Sequence, residues 1–74
     1  MTSQALTAQL AGVVTLKVGA GQRVRRGQVL ASIETMKLEA SIFAPTDGIV
    51  VRVHARDFET VAAGDPICEL QEPA

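Results

Sequence analysis

Gly12-Val13-Val14, followed by Val24, Gly27 and Leu30, returns later in the chain as Gly48-Ile49-Val50, followed by Val61, Gly64 and Ile67. The interval from Gly12 to Gly27 is 15 residues and that from Gly48 to Gly64 is 16, so the copies match with a one-residue gap near Leu16 to Gly19. Self-similarity of this kind marks a repeated supersecondary unit that cannot bury its apolar face alone. Two copies therefore predict two small sheets facing each other about a pseudo-two-fold axis.

Working outward from the repeat, Gly12, Gly19, Gly21, Gly27, Pro45, Gly48, Gly64 and Pro66 cut the chain into pieces too short for a long helix. Between these breaks lie Val13 to Val18, Val29 to Ile33, Leu38 to Phe43, Ile49 to Val53 and Ile67 to Leu70, each rich in β-branched or aliphatic residues, and these read as strands. The alternations Val14, Leu16, Val18, then Leu38, Ala40, Ile42, then Ile49, Val51, Val53 mark half-buried strands with one wet face. The expected core comprises Val14, Leu16, Val18, Leu30, Ile33, Ile42, Val51, Val53, Val61 and Ile67. With 74 residues, no Trp or Tyr, and Phe43 and Phe58 as its only aromatics, the chain is expected to form one all-β domain over residues 1–74 with an aliphatic core.

Composition removes several function classes. A formal net charge of -1 provides no broad field for nucleic acid or an anionic membrane surface. No apolar run approaches the roughly 20 residues of a membrane span, and no secretory leader is recognisable, so a cytoplasmic protein is expected. The cluster Arg23, Arg25, Arg26 reads as a solvated turn between strands. Cys68, the single cysteine, reads as a buried strand position, His54 as a surface residue without metal ligands, and Gly19-Ala20-Gly21 as a turn. Polar Met1 to Gln4 and Gln71 to Ala74 read as tails. No nucleophile with its base, paired carboxylates or phosphate loop is present, so the chain is not expected to be an enzyme by itself.

Between the two copies, Ile33-Glu34-Thr35-Met36-Lys37-Leu38-Glu39-Ala40 passes from one strand to the next without Gly or Pro, which predicts a tight hairpin with Met36 and Lys37 at its tip. Lys17 and Lys37 are the only lysines, against five arginines. Either residue type solvates a surface, but only a lysine amine is readily acylated, which supplies a chemical reason for lysine at an exposed tip. Lys17, expected to face out of a strand, has no such reason.

Glu34-Thr35-Met36-Lys37-Leu38-Glu39, followed by Ala44-Pro45-Thr46-Asp47-Gly48, closely resembles the biotinyl domain family, whose attachment motif is usually Glu-Ala-Met-Lys-Met and whose next turn is often Ala-Pro-x-x-Gly. The resemblance spans about residues 9–70. It implies a flattened barrel of two four-stranded antiparallel sheets with pseudo-two-fold symmetry, and biotin in amide linkage on Lys37. By the same resemblance Glu34, Thr35, Met36 and Leu38 complete the attachment motif read by a biotin protein ligase. The tethered group would swing between biotin carboxylase and carboxyltransferase sites. The sequence departs from the pattern at Thr35, Leu38, Gln9-Leu10-Ala11 and Phe58, the last standing where a turn glycine is usual. No thumb-like insertion separates Val14 from Val24. Glu-Thr-x-Lys also resembles lipoyl domains, so a lipoyl carrier and an unmodified structural module stay open as alternatives, with the apolar Met36 and Leu38 favouring biotin.

Overall fold

The computed structural model describes residues 3–72, and the outermost tail residues Met1, Thr2, Pro73 and Ala74 lie outside the described residues. Eight strands follow in order: β1 Ser3–Thr7, β2 Gly12–Leu16, β3 Arg23–Val24, β4 Val29–Glu34, β5 Glu39–Phe43, β6 Gly48–Val53, β7 Thr60–Val61 and β8 Pro66–Gln71. They form two four-stranded antiparallel sheets with orders β1-β8-β6-β3 and β5-β4-β2-β7. Ser3, Gln4 and Gln71, expected as tails, are instead paired in β1 and β8, where Ser3 faces Gln71. Polar side chains hid these strand ends, because an edge rung can be held by backbone hydrogen bonds while its side chains stay in water.

The repeat is a real axis of the fold. In β2 and β4, Val13, Val14, Thr15 and Leu16 face Glu34, Ile33, Ser32 and Ala31. In β6 and β8, Ile49, Val50, Arg52 and Val53 face Gln71, Leu70, Glu69 and Cys68. The two ladders superimpose once Val51 is left out, because a register shift between Val50 and Arg52 makes Val51 a bulge residue. This is the one-residue gap of the repeat, lying in the second copy immediately after Val50 and so between the equivalents of Val14 and Thr15, earlier than the Leu16 to Gly19 stretch where it was expected.

The bulge corrects the expected core. Val50 is fully buried and Val51 is 41% exposed, the reverse of what alternation from Ile49 through Val53 predicted. Period-2 reading assumes that every residue flips the side chain; one unpaired residue breaks the count, and every assignment before it changes face. Leu16 and Val53 are only partly buried, packing at the margins of the core. The remaining expected positions, Val14, Val18, Leu30, Ile33, Ile42, Val61 and Ile67, are buried, joined by Leu70 and Cys68.

Two further bulges knit the sheets together. Register shifts leave Leu30 unpaired between Val29 and Ala31, and Ile67 unpaired between Pro66 and Cys68. Both side chains are fully buried. Leu30, from the β4 sheet, joins Val24, Val50 and Leu70 of the other sheet. Ile67, from the β8 sheet, joins Val14, Ile33 and Ile42. Each cluster thus contains one residue donated across the sandwich by a bulge, so neither half has a private core.

The short strands β3 and β7 each follow a left-handed turn. Gly21 has φ +89°, and its equivalent Phe58 has φ +65°. The Gly21 N–H donates to the Val50 carbonyl at 2.6 Å and the Phe58 N–H to the Val14 carbonyl at 2.7 Å, the same bond in both halves. The departure at Phe58 is therefore a bulky residue held in the conformation its glycine counterpart adopts freely. Arg23 lies on β3, correcting its assignment to a turn, whereas Arg25 and Arg26 occupy the turn that follows; all three are exposed. Lys17 is exposed just beyond β2.

Candidate functional site: the β4–β5 hairpin

The hairpin begins where β4 and β5 run out. Glu34 faces Glu39 in the last rung, and Thr35, Met36, Lys37 and Leu38 close the turn. Leu38 belongs to the turn, not to the strand in which alternation placed it. No residue of this turn has a positive φ, which explains how it closes without Gly.

A side chain takes the place of special turn residues. The Thr35 N–H donates to the Leu38 carbonyl at 2.8 Å. The Thr35 hydroxyl oxygen accepts from the Leu38 N–H at 3.0 Å and from the Lys37 N–H at 3.3 Å. Hydroxyl capture of nearby backbone donors is an established way for threonine to shape a turn. This function of Thr35 was invisible to strand periodicity, although a threonine just before a glycine-free turn is a usable signal for it.

Met36 is fully exposed and Leu38 largely so, while Lys37 between them is exposed as well. Among the described residues no carboxylate lies within ion-pair distance of Lys37; the ion pairs are Arg52–Glu69 at 3.6 Å and His54–Glu69 at 2.7 Å, both in the other sheet. His54, expected as a plain surface residue, thus shares Glu69 with Arg52. The Lys37 ammonium extends into water, free of a competing partner.

Beneath the tip, β2 approaches β4 so closely that a Cβ on Gly12 would meet the Glu34 carbonyl oxygen at 2.5 Å. Val13, Met36 and Thr60 line a shallow apolar groove beside this contact. The five motif residues Glu34 to Leu38 are brought together on one hairpin. The other candidates are elsewhere: Cys68 is buried in β8, where burial pushes its thiol up, and Arg23 and Arg25 line a separate groove with Ile49. The described residues contain no group of three or more potential metal ligands, and no helix long and apolar enough to cross a membrane.

A family model, curated relatives and a solved structure above 30% identity agree on one family. The family model described as Biotin-requiring enzyme, which spans biotin and lipoyl domains, matches residues 2–70. A pyruvate carboxylase of Staphylococcus aureus is 39% identical over 66 residues, covering 88% of this chain and 6% of that protein. The mitochondrial propionyl-CoA carboxylase alpha chain of Homo sapiens is 38% identical over 71 residues, covering 95% of this chain and 10% of that protein. A solved single-chain, multi-domain long-chain acyl-CoA carboxylase superimposes with a TM-score of 0.88 at 32% identity, covering 96% of this chain and 7% of that one. The chain spans a tenth or less of the length of these relatives. Two facing four-stranded sheets, an internal two-fold and an exposed lysine between apolar neighbours on a hairpin agree with the match over residues 2–70: the chain belongs to the biotin/lipoyl domain family of biotin-requiring enzymes.

Proposed function

We propose that Lys37 is the attachment site for covalent biotin and that residues 1–74 act as one carrier domain, visiting a biotin carboxylase site and a carboxyltransferase site in turn. The observation that carries this reading is the exposed Lys37 at a turn flanked by the exposed apolar side chains of Met36 and Leu38. The likeness to pyruvate and propionyl-CoA carboxylases supports biotin over lipoate.

The tip suits an acylated lysine. Among the described residues its ammonium has no ion pair to surrender, and a group attached at Nζ would extend away from the two sheets without displacing core atoms. When bound, biotin supplies a ureido nitrogen able to hold a carboxyl group. The chain itself supplies the tether: the rigid β4–β5 ladder fixes the base of the arm, and the lysine stem supplies its reach. Holding the arm on a docked domain makes the second encounter effectively intramolecular, replacing free diffusion by a high local concentration.

Partners under this reading are a biotin protein ligase, which recognises Glu34, Thr35, Met36 and Leu38 around the acceptor, and the two enzyme sites. A cytoplasmic setting suits the free Cys68 thiol. Intact mass after expression with both biotin and lipoate ligases tests the assignment. The expected result is a single biotinyl adduct, lost in Lys37→Arg and retained in Lys17→Arg. A lipoyl adduct would establish the lipoyl carrier instead, and the absence of any adduct would establish an unmodified module.

A further inference from the structure

The geometry points to Thr35 as a positioning residue: its hydroxyl pre-forms the acceptor turn around Lys37, so that the ligase meets the turn already shaped. The inference rests on Lys37 being the acylated lysine. Lys37 and Leu38 lie beyond the last rung of the β4–β5 ladder, so their N–H groups have no strand partner. Among the described residues the Thr35 hydroxyl is the acceptor for both, at 3.3 and 3.0 Å, while the Thr35 N–H returns a bond to the Leu38 carbonyl at 2.8 Å. One half-buried side chain therefore holds the backbone on both sides of the Lys37 Cα, between two residues whose own side chains are exposed.

The acylation gains from this without depending on it. A neutral Lys37 amine attacks the carboxyl carbon of an activated biotinyl donor, an acyl phosphate-type anhydride. The new C–N bond forms as the acyl–oxygen bond breaks, the leaving phosphate departs with the electron pair, and the amine proton passes to solvent. Nothing on Thr35 reacts. Its contribution is to the ordering cost: a turn that fluctuates must be frozen when the ligase binds, whereas a turn already tied has less freedom to lose. Its β-branched side chain has few χ1 states, which keeps the hydroxyl aimed. An alanine here would keep the backbone bond to the Leu38 carbonyl and lose both hydroxyl bonds. Water competes at an exposed tip, so the expected effect is several-fold and not orders of magnitude.

The test uses the full chain as wild type, Thr35→Val, which keeps the branched shape without the acceptor, and Thr35→Ser, which keeps the acceptor. Steady-state biotinylation by a biotin protein ligase should show KM for the acceptor chain raised about five- to tenfold in Thr35→Val with kcat within about twofold, and restored in Thr35→Ser. Amide hydrogen exchange followed by NMR should accelerate by a similar factor at Lys37 and Leu38 in Thr35→Val, and stay unchanged at Ile33 inside the ladder. An unchanged KM in Thr35→Val beside an efficiently biotinylated wild type, or unchanged exchange at Lys37 and Leu38, overturns the role of Thr35 alone. A wild-type chain that takes no biotin overturns the Lys37 reading instead, and is told apart by its mass.

Discussion

The rung Glu34–Glu39 and the rung Ser3–Gln71 occupy equivalent places in the two sheets, but only the first is bridged by a turn of four residues. The frame beneath them is the same: Gly12 and Gly48 make equivalent close approaches to the carbonyls of Glu34 and Gln71. What differs is the decoration. Apolar Val13 and Thr60 flank the hairpin side, and Ile49 and Arg23 take those places in the other sheet. The fold is therefore built twice and the candidate site once, so symmetry accounts for stability while departures from it mark chemistry.

The largest expected effect tests whether the two halves share one stability. Leu30→Ala and Ile67→Ala each empty a buried bulge position donated across the sandwich, and each should cost about 2 to 5 kcal/mol in urea denaturation. Both variants should unfold in one transition. Two separate transitions would show that the halves are independent and that the crossing side chains do not couple them.

Next comes the close approach. A Cβ at Gly12 or Gly48 would press on backbone, which cannot rotate away, so Gly12→Ala and Gly48→Ala should each lose about 1 to 3 kcal/mol. Similar losses would support the equivalence of the two ladders. A loss confined to Gly12→Ala would mean that the Gln71 side yields where the hairpin side does not.

The Gly21 and Phe58 turns should respond in opposite directions. Gly21→Ala forces a Cβ into the left-handed region and should destabilise by about 1 kcal/mol. Phe58→Gly relieves that strain and should raise the thermal midpoint, with a gain of up to about 1 kcal/mol after the extra freedom of glycine in the unfolded chain is deducted. A lower midpoint in Phe58→Gly would show that the exposed ring makes contacts that outweigh the strain.

The smallest effect on stability falls at the hairpin tip. Lys37→Arg should change stability by about 0.5 kcal/mol or less, because the residue is exposed and has no ion-pair partner among the described residues. Under the proposed function the same change abolishes avidin labelling. A variant that unfolds more readily but still labels would overturn both statements.

Sequence reasoning placed the hairpin tip more accurately than it placed the core. The exposed place of Lys37 on a hairpin was legible because the polar stretch between two apolar alternations is a local signal, while its proposed acylation rests on the resemblance of Glu34 to Leu38 to an attachment motif. The Thr35 hydroxyl was not legible, since its bonds depend on where the turn brings the Lys37 and Leu38 amides. Val51 failed for a different reason. Alternation in Ile49 to Val53 is indifferent to a bulge, and only pairing with β8, where Leu70 faces Val50 and Glu69 faces Arg52, reveals the uncounted residue.

The amino-acid sequence by itself determined an all-β chain, a two-fold repeat with a one-residue mismatch, and an exposed lysine on a hairpin, because glycine spacing, residue size and polarity act over a few neighbours. The tertiary structure decided that Val50 and not Val51 enters the core, that Leu30 and Ile67 cross between sheets, and that Phe58 adopts a glycine-like φ. Those outcomes depend on register, which is set by pairing between strands distant in sequence, and a shift of one residue there reverses which side chains meet water.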